Sequence, residues 1–296
     1  MSRSILHMLS PLKHMSPFDV NMAVDAGFDA IIPHTNVAIE DVRSLVQDAM
    51  FSRPPNEGFR TSFFLAGRRA EQGLDMLEAA KKAFVPPFKV NLLTDPSGAF
   101  TTGAALVAVV KKALRDKHST NFKGKRTVVF GGTGAVAYCA AVIVAREGGR
   151  PVLCGYDGQE RVTRIAADMR RRFDVAVDAL DGSTTAARDE AARGAEVIFS
   201  AGPAGVQLLT AQQIKAVESL IVAADVNAVP PLGLEGVAID SNSAPLTGKA
   251  VGIGALTVGN IKYKTEAKLF KTLLDTKKPV SLEFLDAYQL ATEIAG

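Results

Sequence analysis

Apolar and polar residues alternate in two rhythms along the first 117 positions. SILHML (4–9), DAIIPHTNV, RTSFFLAG and FKVNLLTD are short apolar runs that read as strands. PFDVNMAVDAGF (17–28), IEDVRSLVQDAMF, AEQGLDMLEAAKKAF and TTGAALVAVVKKALRDK repeat their apolar residues near every 3.6 positions and read as helices. In the second of these, Val42, Leu45, Val46 and Met50 mark the buried face. Four βα pairs in a row predict a parallel or mostly parallel sheet. HSTNFKGK (118–125) is polar and reads as a linker. The alternation then resumes, with RTVVF, PVLCG, VAVDAL, AEVIFSAG, LIVAADV and AVGIGAL as strands. From Val258 to Ala295 the pattern is helical, with a break near KKPVS. No strong internal repeat and no low-complexity segment interrupts the chain.

The expected fold class is therefore α/β in two domains, an N-terminal βα-alternating domain and a Rossmann-type parallel-sheet dinucleotide-binding domain. The expected boundaries are 118–267 for the dinucleotide domain and 1–117 plus 268–296 for the other, the last helices returning to the first domain. The chain's 296 residues suffice for two domains of ordinary size. Its net charge of +3 is too weak a bias to argue for nucleic acid or a membrane surface. Cys139 and Cys154 lie in apolar segments, without metal-ligand spacing or a disulfide framework, and read as buried thiols. The N-terminal MSRSILHMLSPLKHMSPF lacks an apolar core long enough for a signal peptide, and no run of about 18 apolar residues suggests a membrane span. A cytoplasmic location is expected.

The most informative stretch is TVVFGGTGAVA. An apolar strand, Thr127 to Phe130, runs into Gly132-x-Gly134-x-x-Ala137 and then a helix. The first glycine permits a tight turn, the second lets a pyrophosphate approach the backbone, and the small third residue lets helix and strand pack closely. The free N–H groups at the helix start, Gly132 through Thr133, Gly134, Ala135, Val136 and Ala137, would face the phosphates. A second strand, Pro151 to Cys154, follows at βαβ spacing and ends in Gly155-Tyr156-Asp157. A glycine turn without ligand is the alternative, but strand, helix, second strand and acid occur in order. Asp157 can accept a hydrogen bond from the adenosine ribose, which argues for NAD. Arg161 and Arg164, one or two turns on, leave room for NADP. Asp157 could instead cap a helix. Three later loops, SAGPAG (200–205), DVNAVPPLG (225–233) and GIGALTVGNIKYK (252–264), should line the site, with Ala201, Gly202, Asn227 and Gly254 as further cofactor contacts. The four histidines, His7, His14, His34 and His118, give neither a catalytic triad order nor metal spacing, so no metal is expected. The Arg170-Arg171-Arg172 run reads as a solvated helix end.

Taken together, GTGAVA with VLCG, SAGPAG, VAADVNAVPPLG, GALTVGNIKYK and SPFD resemble the bacterial methylene-tetrahydromethanopterin dehydrogenases of methylotrophs, over nearly the whole chain. That group contains an NADP-only type, which also accepts methylene-tetrahydrofolate, and a type using NAD or NADP. The NADP-only type has an arginine after VLCG, where this chain has Tyr156 and Asp157, so the resemblance is to the dual-cofactor type. It implies hydride transfer from the methylene bridge of tetrahydromethanopterin to NAD or NADP in formaldehyde oxidation. It further implies that Phe18 and Asp19 of SPFD border the pterin, that Thr102 lies near the nicotinamide, and that Lys262 of GNIKYK is a catalytic or orienting lysine. A small homo-oligomer, such as a trimer, is also implied. Competing readings keep the fold. One changes the carrier to tetrahydrofolate, with or without cyclohydrolase activity, and another is a nucleotide sensor without turnover. A shikimate- or glutamyl-tRNA-reductase-like enzyme is a third, which NAVPPLG and GNIKYK do not suggest.

Overall fold

The computed structural model describes residues 3–296. In chain order the elements are β1 (Ile5–Leu9), α1 (Pro17–Ala26), β2 (Ala30–His34), α2 (Asp41–Phe51), β3 (Thr61–Leu65), α3 (Ala70–Lys82), β4 (Asn91–Thr94) and α4 (Ala99–His118). Then follow β5 (Arg126–Phe130), α5 (Ala135–Arg146), β6 (Arg150–Gly155), α6 (Gln159–Phe173), β7 (Asp178–Asp181), α7 (Thr185–Ala192), β8 (Val197–Ser200) and α8 (Ala211–Lys215). The chain ends with β9 (Val222–Asp225), β10 (Asn242–Thr247), β11 (Ala250–Ile253), α9 (Ala255–Asp275), β12 (Ser281–Leu282) and α10 (Phe284–Ala295).

These elements form two compact units, one of residues up to Thr101 with Tyr263–Leu290, the other of Thr102–Lys262 with Ala291–Gly296. The contact boundaries thus fall inside α4 and α9, not at 117/118 and 267/268. The reason lies in packing along α4. A Cβ on Gly103 would lie 2.8 Å from the Cys139 Cβ, so α4 lies directly against α5. Two turns beyond, Lys111 Nζ pairs with Glu147 at 2.9 Å.

In the first unit five strands lie in the order β12-β4-β3-β1-β2, all parallel. This is the 2-1-3-4-5 order of flavodoxin-like sheets, in which the order reverses between β1 and β3. Its core gathers Val42, Val46 and Met50 of α2 with Leu9, Phe63, Leu65 and Leu92, while Leu45 is only partly buried. The expected helical break near KKPVS contains β12, which the sequence reading missed. Two residues of strand are too short for any periodicity. Their place is set by Leu92 N donating to Val280 O at 2.8 Å and by Asn91. The Asn91 Nδ2 is shared among Phe59 O (2.6 Å), Leu273 O (3.0 Å) and Ser62 Oγ (3.2 Å), and its Oδ1 accepts Val280 N at 3.0 Å.

Glu283 precedes α10. Its N–H donates to Asp286 Oδ2 at 2.9 Å, and its own Oε2 is buried with no hydrogen-bond partner among the described residues. Burial, then the neighbouring Asp286, push its carboxyl up from 4.5 to about 7. The folded state therefore holds a proton that the unfolded chain releases earlier, so stability falls as pH rises from about 4.5 to about 7. Glu283→Gln is expected to leave stability at pH 4 nearly unchanged and to raise it at pH 8 by on the order of 2 kcal/mol. Denaturant midpoints at the two pH values check this, and equal effects at both would refute it.

The second unit has seven strands in the order β10-β11-β9-β8-β5-β6-β7. Every pairing is parallel except β10 with β11. Read from β7 to β11 this is the 3-2-1-4-5-6 order of a Rossmann domain. Strands β8 and β9 are buried throughout, which is why they read as unbroken apolar runs. Strand β10 lies at the edge, half-exposed, with Pro245 and polar neighbours. It pairs on one side only, which tolerates a residue without an N–H donor, and its sequence gave no strand signal.

Candidate cofactor site

Strand order reverses between β5 and β8, and ligands of such sheets bind outside the carboxyl ends of the strands at that point. The loop after β5 is Gly131-Gly132-Thr133-Gly134, and the loop after β8 begins with Ala201-Gly202. The two touch. A Cβ on Gly131 would lie 2.5 Å from Ala201 O, and Gly131 itself has φ +77°, so only glycine suits the position. A Cβ on Gly132 would lie 2.8 Å from Cys154 N in β6. These two glycines are required by the protein's own backbone. Gly131 was missed by the sequence reading, though the GG doublet was its signal.

Gly134 differs. Its backbone is extended, with φ −82° and ψ 158°, which any residue can adopt. A Cβ there would meet only Gly131 O at 3.2 Å and Ala201 O at 3.7 Å. Gly134 is the N-cap of α5, no side chain caps the helix, and the first-turn N–H groups of Ala135, Val136 and Ala137 have no intrahelical acceptor. Ala137 is fully buried, as close packing of α5 on the sheet needs. An uncapped helix start beside a glycine without a side chain suits a pyrophosphate. The residues present thus fit a dinucleotide.

At the end of β6, Tyr156 is half-exposed and Asp157 sits beside the glycine loop. The N-cap of α6 is Gly158, so Asp157 does not cap the helix. Its carboxylate instead accepts the Thr133 hydroxyl at 3.2 Å and pairs with the Arg161 guanidinium. This joins the loop after β5 to the turn after β6.

The other expected contacts hold the loops together. A Cβ on Gly202 would strike the Leu208 side chain at 2.8 Å, and one on Gly254 would lie 2.1 Å from Ala238 O. Asn227 is buried, its Oδ1 accepting Val229 N at 2.8 Å and Gly205 N at 3.3 Å while Nδ2 donates to Pro231 O at 3.0 Å. Asn227 therefore staples the loop after β8 to the loop after β9. Asp225, also buried, supports the same turn by accepting Asn227 N and Leu234 N, both at 3.0 Å. Thr102 and Lys262 are half-buried on α4 and α9 in this unit. Phe18 and Asp19 belong to the first unit, in the opening turn of α1 after β1, next to that sheet's own reversal of order. There Phe18 is about half-exposed and Asp19 is buried.

Both cysteines are buried, and burial pushes the Cys154 thiol up to about 12. His7 and His34 pair in the first unit with ring nitrogens 3.2 Å apart, and burial, His34 and Arg53 lower the His7 pKa. The arginine run is not wholly solvated. Arg172 is largely buried and pairs with Asp168 at 2.9 Å, and Asp168 accepts the Tyr138 hydroxyl at 2.8 Å. Burial pushes the Asp168 carboxyl up, but Tyr138, Arg171 and Arg172 more than offset it and leave it lowered. This network ties α6 to α5.

A family model described as "Methylene-tetrahydromethanopterin dehydrogenase, N-terminal" matches residues 17–97. Over its full length, and over the full length of the relative, the chain is 57% identical to the NAD(P)-dependent methylenetetrahydromethanopterin dehydrogenase of Methylorubrum extorquens. This chain belongs to the methylenetetrahydromethanopterin dehydrogenase family. A second protein of the same organism, the bifunctional protein MdtA, is 34% identical over the same full span. Among solved structures, quinate dehydrogenase of Corynebacterium glutamicum in complex with NAD aligns with TM-score 0.54 and 12% identity, covering 99% of each chain. Shikimate 5-dehydrogenase of Listeria monocytogenes, in complex with shikimate and NAD, aligns with TM-score 0.52 and 13% identity over 99% of this chain and 96% of that one. At such identities these structures speak for the fold alone. This chain thus shares its α/β fold with those two dehydrogenases. Among the described residues no helix is long and apolar enough to cross a membrane.

Proposed function

We propose that the protein oxidises N5,N10-methylene-tetrahydromethanopterin with NAD or NADP. The observation that carries this reading is the full-length 57% identity to a dehydrogenase named for that reaction. The β5–α5 turn supports it, because its geometry suits a dinucleotide pyrophosphate. The bound nicotinamide would supply the hydride acceptor. The methylene carbon that loses hydride becomes a methenyl cation, whose charge the two flanking nitrogens share. No proton leaves in that step, so the site needs no general base, and the protein's work is orientation and exclusion of water.

In this reading the α5 N–H groups hold the pyrophosphate and Asp157 accepts the ribose hydroxyl. Asn227, Asp225, Gly202 and Gly254 fix the loops around them. The domain roles follow, with the first unit as the pterin domain and the second as the NAD(P) domain. Phe18 packs on the pterin and Asp19 accepts a hydrogen bond from it. Thr102 serves the nicotinamide side, and Lys262 orients the substrate. A cytoplasmic location and a small homo-oligomer, trimeric by family resemblance, belong to the same proposal, as does a place in formaldehyde oxidation.

The test is absorbance of NADH or NADPH formed from methylene-tetrahydromethanopterin, with methylene-tetrahydrofolate in parallel. Turnover of the methanopterin with both cofactors and little turnover of the folate is expected. Turnover of folate with NADP alone would replace the carrier. Silence with both would leave a nucleotide-binding protein without this activity.

A further inference from the structure

Asp157 lies two residues past β6, where an adenosine ribose would lie, and alone its charge would repel a 2′-phosphate. It is not alone. Arg161, four residues on in the first turn of α6, pairs with Asp157 Oδ2, while the Thr133 hydroxyl donates to Oδ1. The arginine side chain is 46% exposed and the aspartate 20%, so the cation sits on the solvent side of the pair. The pair is electrically neutral as it stands. A ribose hydroxyl can donate to Asp157 and leave Arg161 in place. A 2′-phosphate has no such proton to give at neutral pH and carries nearly two negative charges. It needs a planar donor able to hold two of its oxygens at once, which is what a guanidinium provides.

We propose that Arg161 is the residue that lets one site accept both nucleotides, turning from the Asp157 carboxylate to the 2′-phosphate when NADP binds. This rests on the NAD(P) reading above and adds the device behind it. Arg164, exposed one turn further along the helix, serves as the comparison position.

The test needs no turnover. Calorimetric Kd values for AMP and for adenosine 2′,5′-bisphosphate are measured on the intact protein and on R161Q, R161K, R164Q and D157N. The readout is the ratio of the AMP Kd to the bisphosphate Kd. In R161Q this ratio is expected to fall about tenfold or more, the usual worth of a hydrogen bond to a charged group. R161K should recover part of it, D157N should raise it, and R164Q should move it less than threefold. Thermal melts identify any variant that fails to fold, and R161K then carries the comparison. Binding of both probes with a ratio that R161Q leaves within twofold of wild type would overturn the proposal while sparing the cofactor site. A larger effect of R164Q than of R161Q would overturn it too. Failure of the wild type to bind either probe would remove the nucleotide reading itself, and this inference with it.

Discussion

Gly134→Val is expected to abolish NAD and NADP binding while the protein stays folded. The extended backbone of Gly134 suits valine, and the nearest atom to its new Cβ is Gly131 O at 3.2 Å, a contact that a shift of a few tenths of an ångström relieves. The branched methyls would then occupy the space where a pyrophosphate meets the α5 N–H groups. A ligand that loses those donors loses several charge-assisted hydrogen bonds. Every 1.4 kcal/mol is about a factor of ten, so affinity should drop roughly a hundredfold or more. Titration of NADH fluorescence gives the affinity and a thermal melt gives the fold. A variant that binds normally would remove the β5–α5 turn as the cofactor cradle. Substitutions at Gly131 or Gly132 should instead damage the fold, because a Cβ there runs into the backbone at Ala201 or Cys154.

The second large effect concerns stability. Asn91→Leu keeps the branched heavy-atom skeleton but removes every polar atom of a fully buried side chain. Phe59 O, Leu273 O and Val280 N would each lose a partner. A buried polar group left unpaired costs about 1–3 kcal/mol, so a loss on the order of 4 kcal/mol is expected. The damage should concentrate where β12 and the end of α9 join the first unit. Urea unfolding followed by circular dichroism measures the loss, and limited proteolysis should show early cleavage after Asp275. A loss below about 1 kcal/mol would mean that water takes over the bonds and that Asn91 does not hold the returning segment.

The reach of the sequence follows from the range of the interactions. The βα alternation was legible because apolar period and turn residues act over a few positions, and β5 was found at its observed ends, Arg126 and Phe130. The glycine turn was legible for the same reason, and so was the four-residue spacing of Asp157 and Arg161. What escaped depends on distant partners. Asn91 bonds to residues 182 and 189 positions away, which no local pattern announces. Tyr138 and Asp168 stand 30 residues apart on different helices, so Arg172 looked solvated. Gly202, Gly254 and Asn227 were noticed as small or polar residues at strand ends. Their work on neighbouring loops became visible only when Leu208, Ala238 and Pro231 were placed beside them. Strand β10 was hidden because an edge strand need not be apolar.

The interrupted course of the first unit bears on how the protein is made. Its first four strands leave the ribosome long before β12 exists, and Asn91 waits 189 residues for Val280. At about 5–20 residues per second that delay is roughly 10–40 s. Meanwhile Thr102–Lys262, nearly the whole of the second unit, emerges as one uninterrupted stretch. The nascent chain therefore carries β4 as an open edge, with Leu92 and Leu93 unmatched, throughout that interval. Such an edge is a template for pairing with another chain. Newly made protein should depend on chaperones at this stage, and the dependence should end when the last two elements are released.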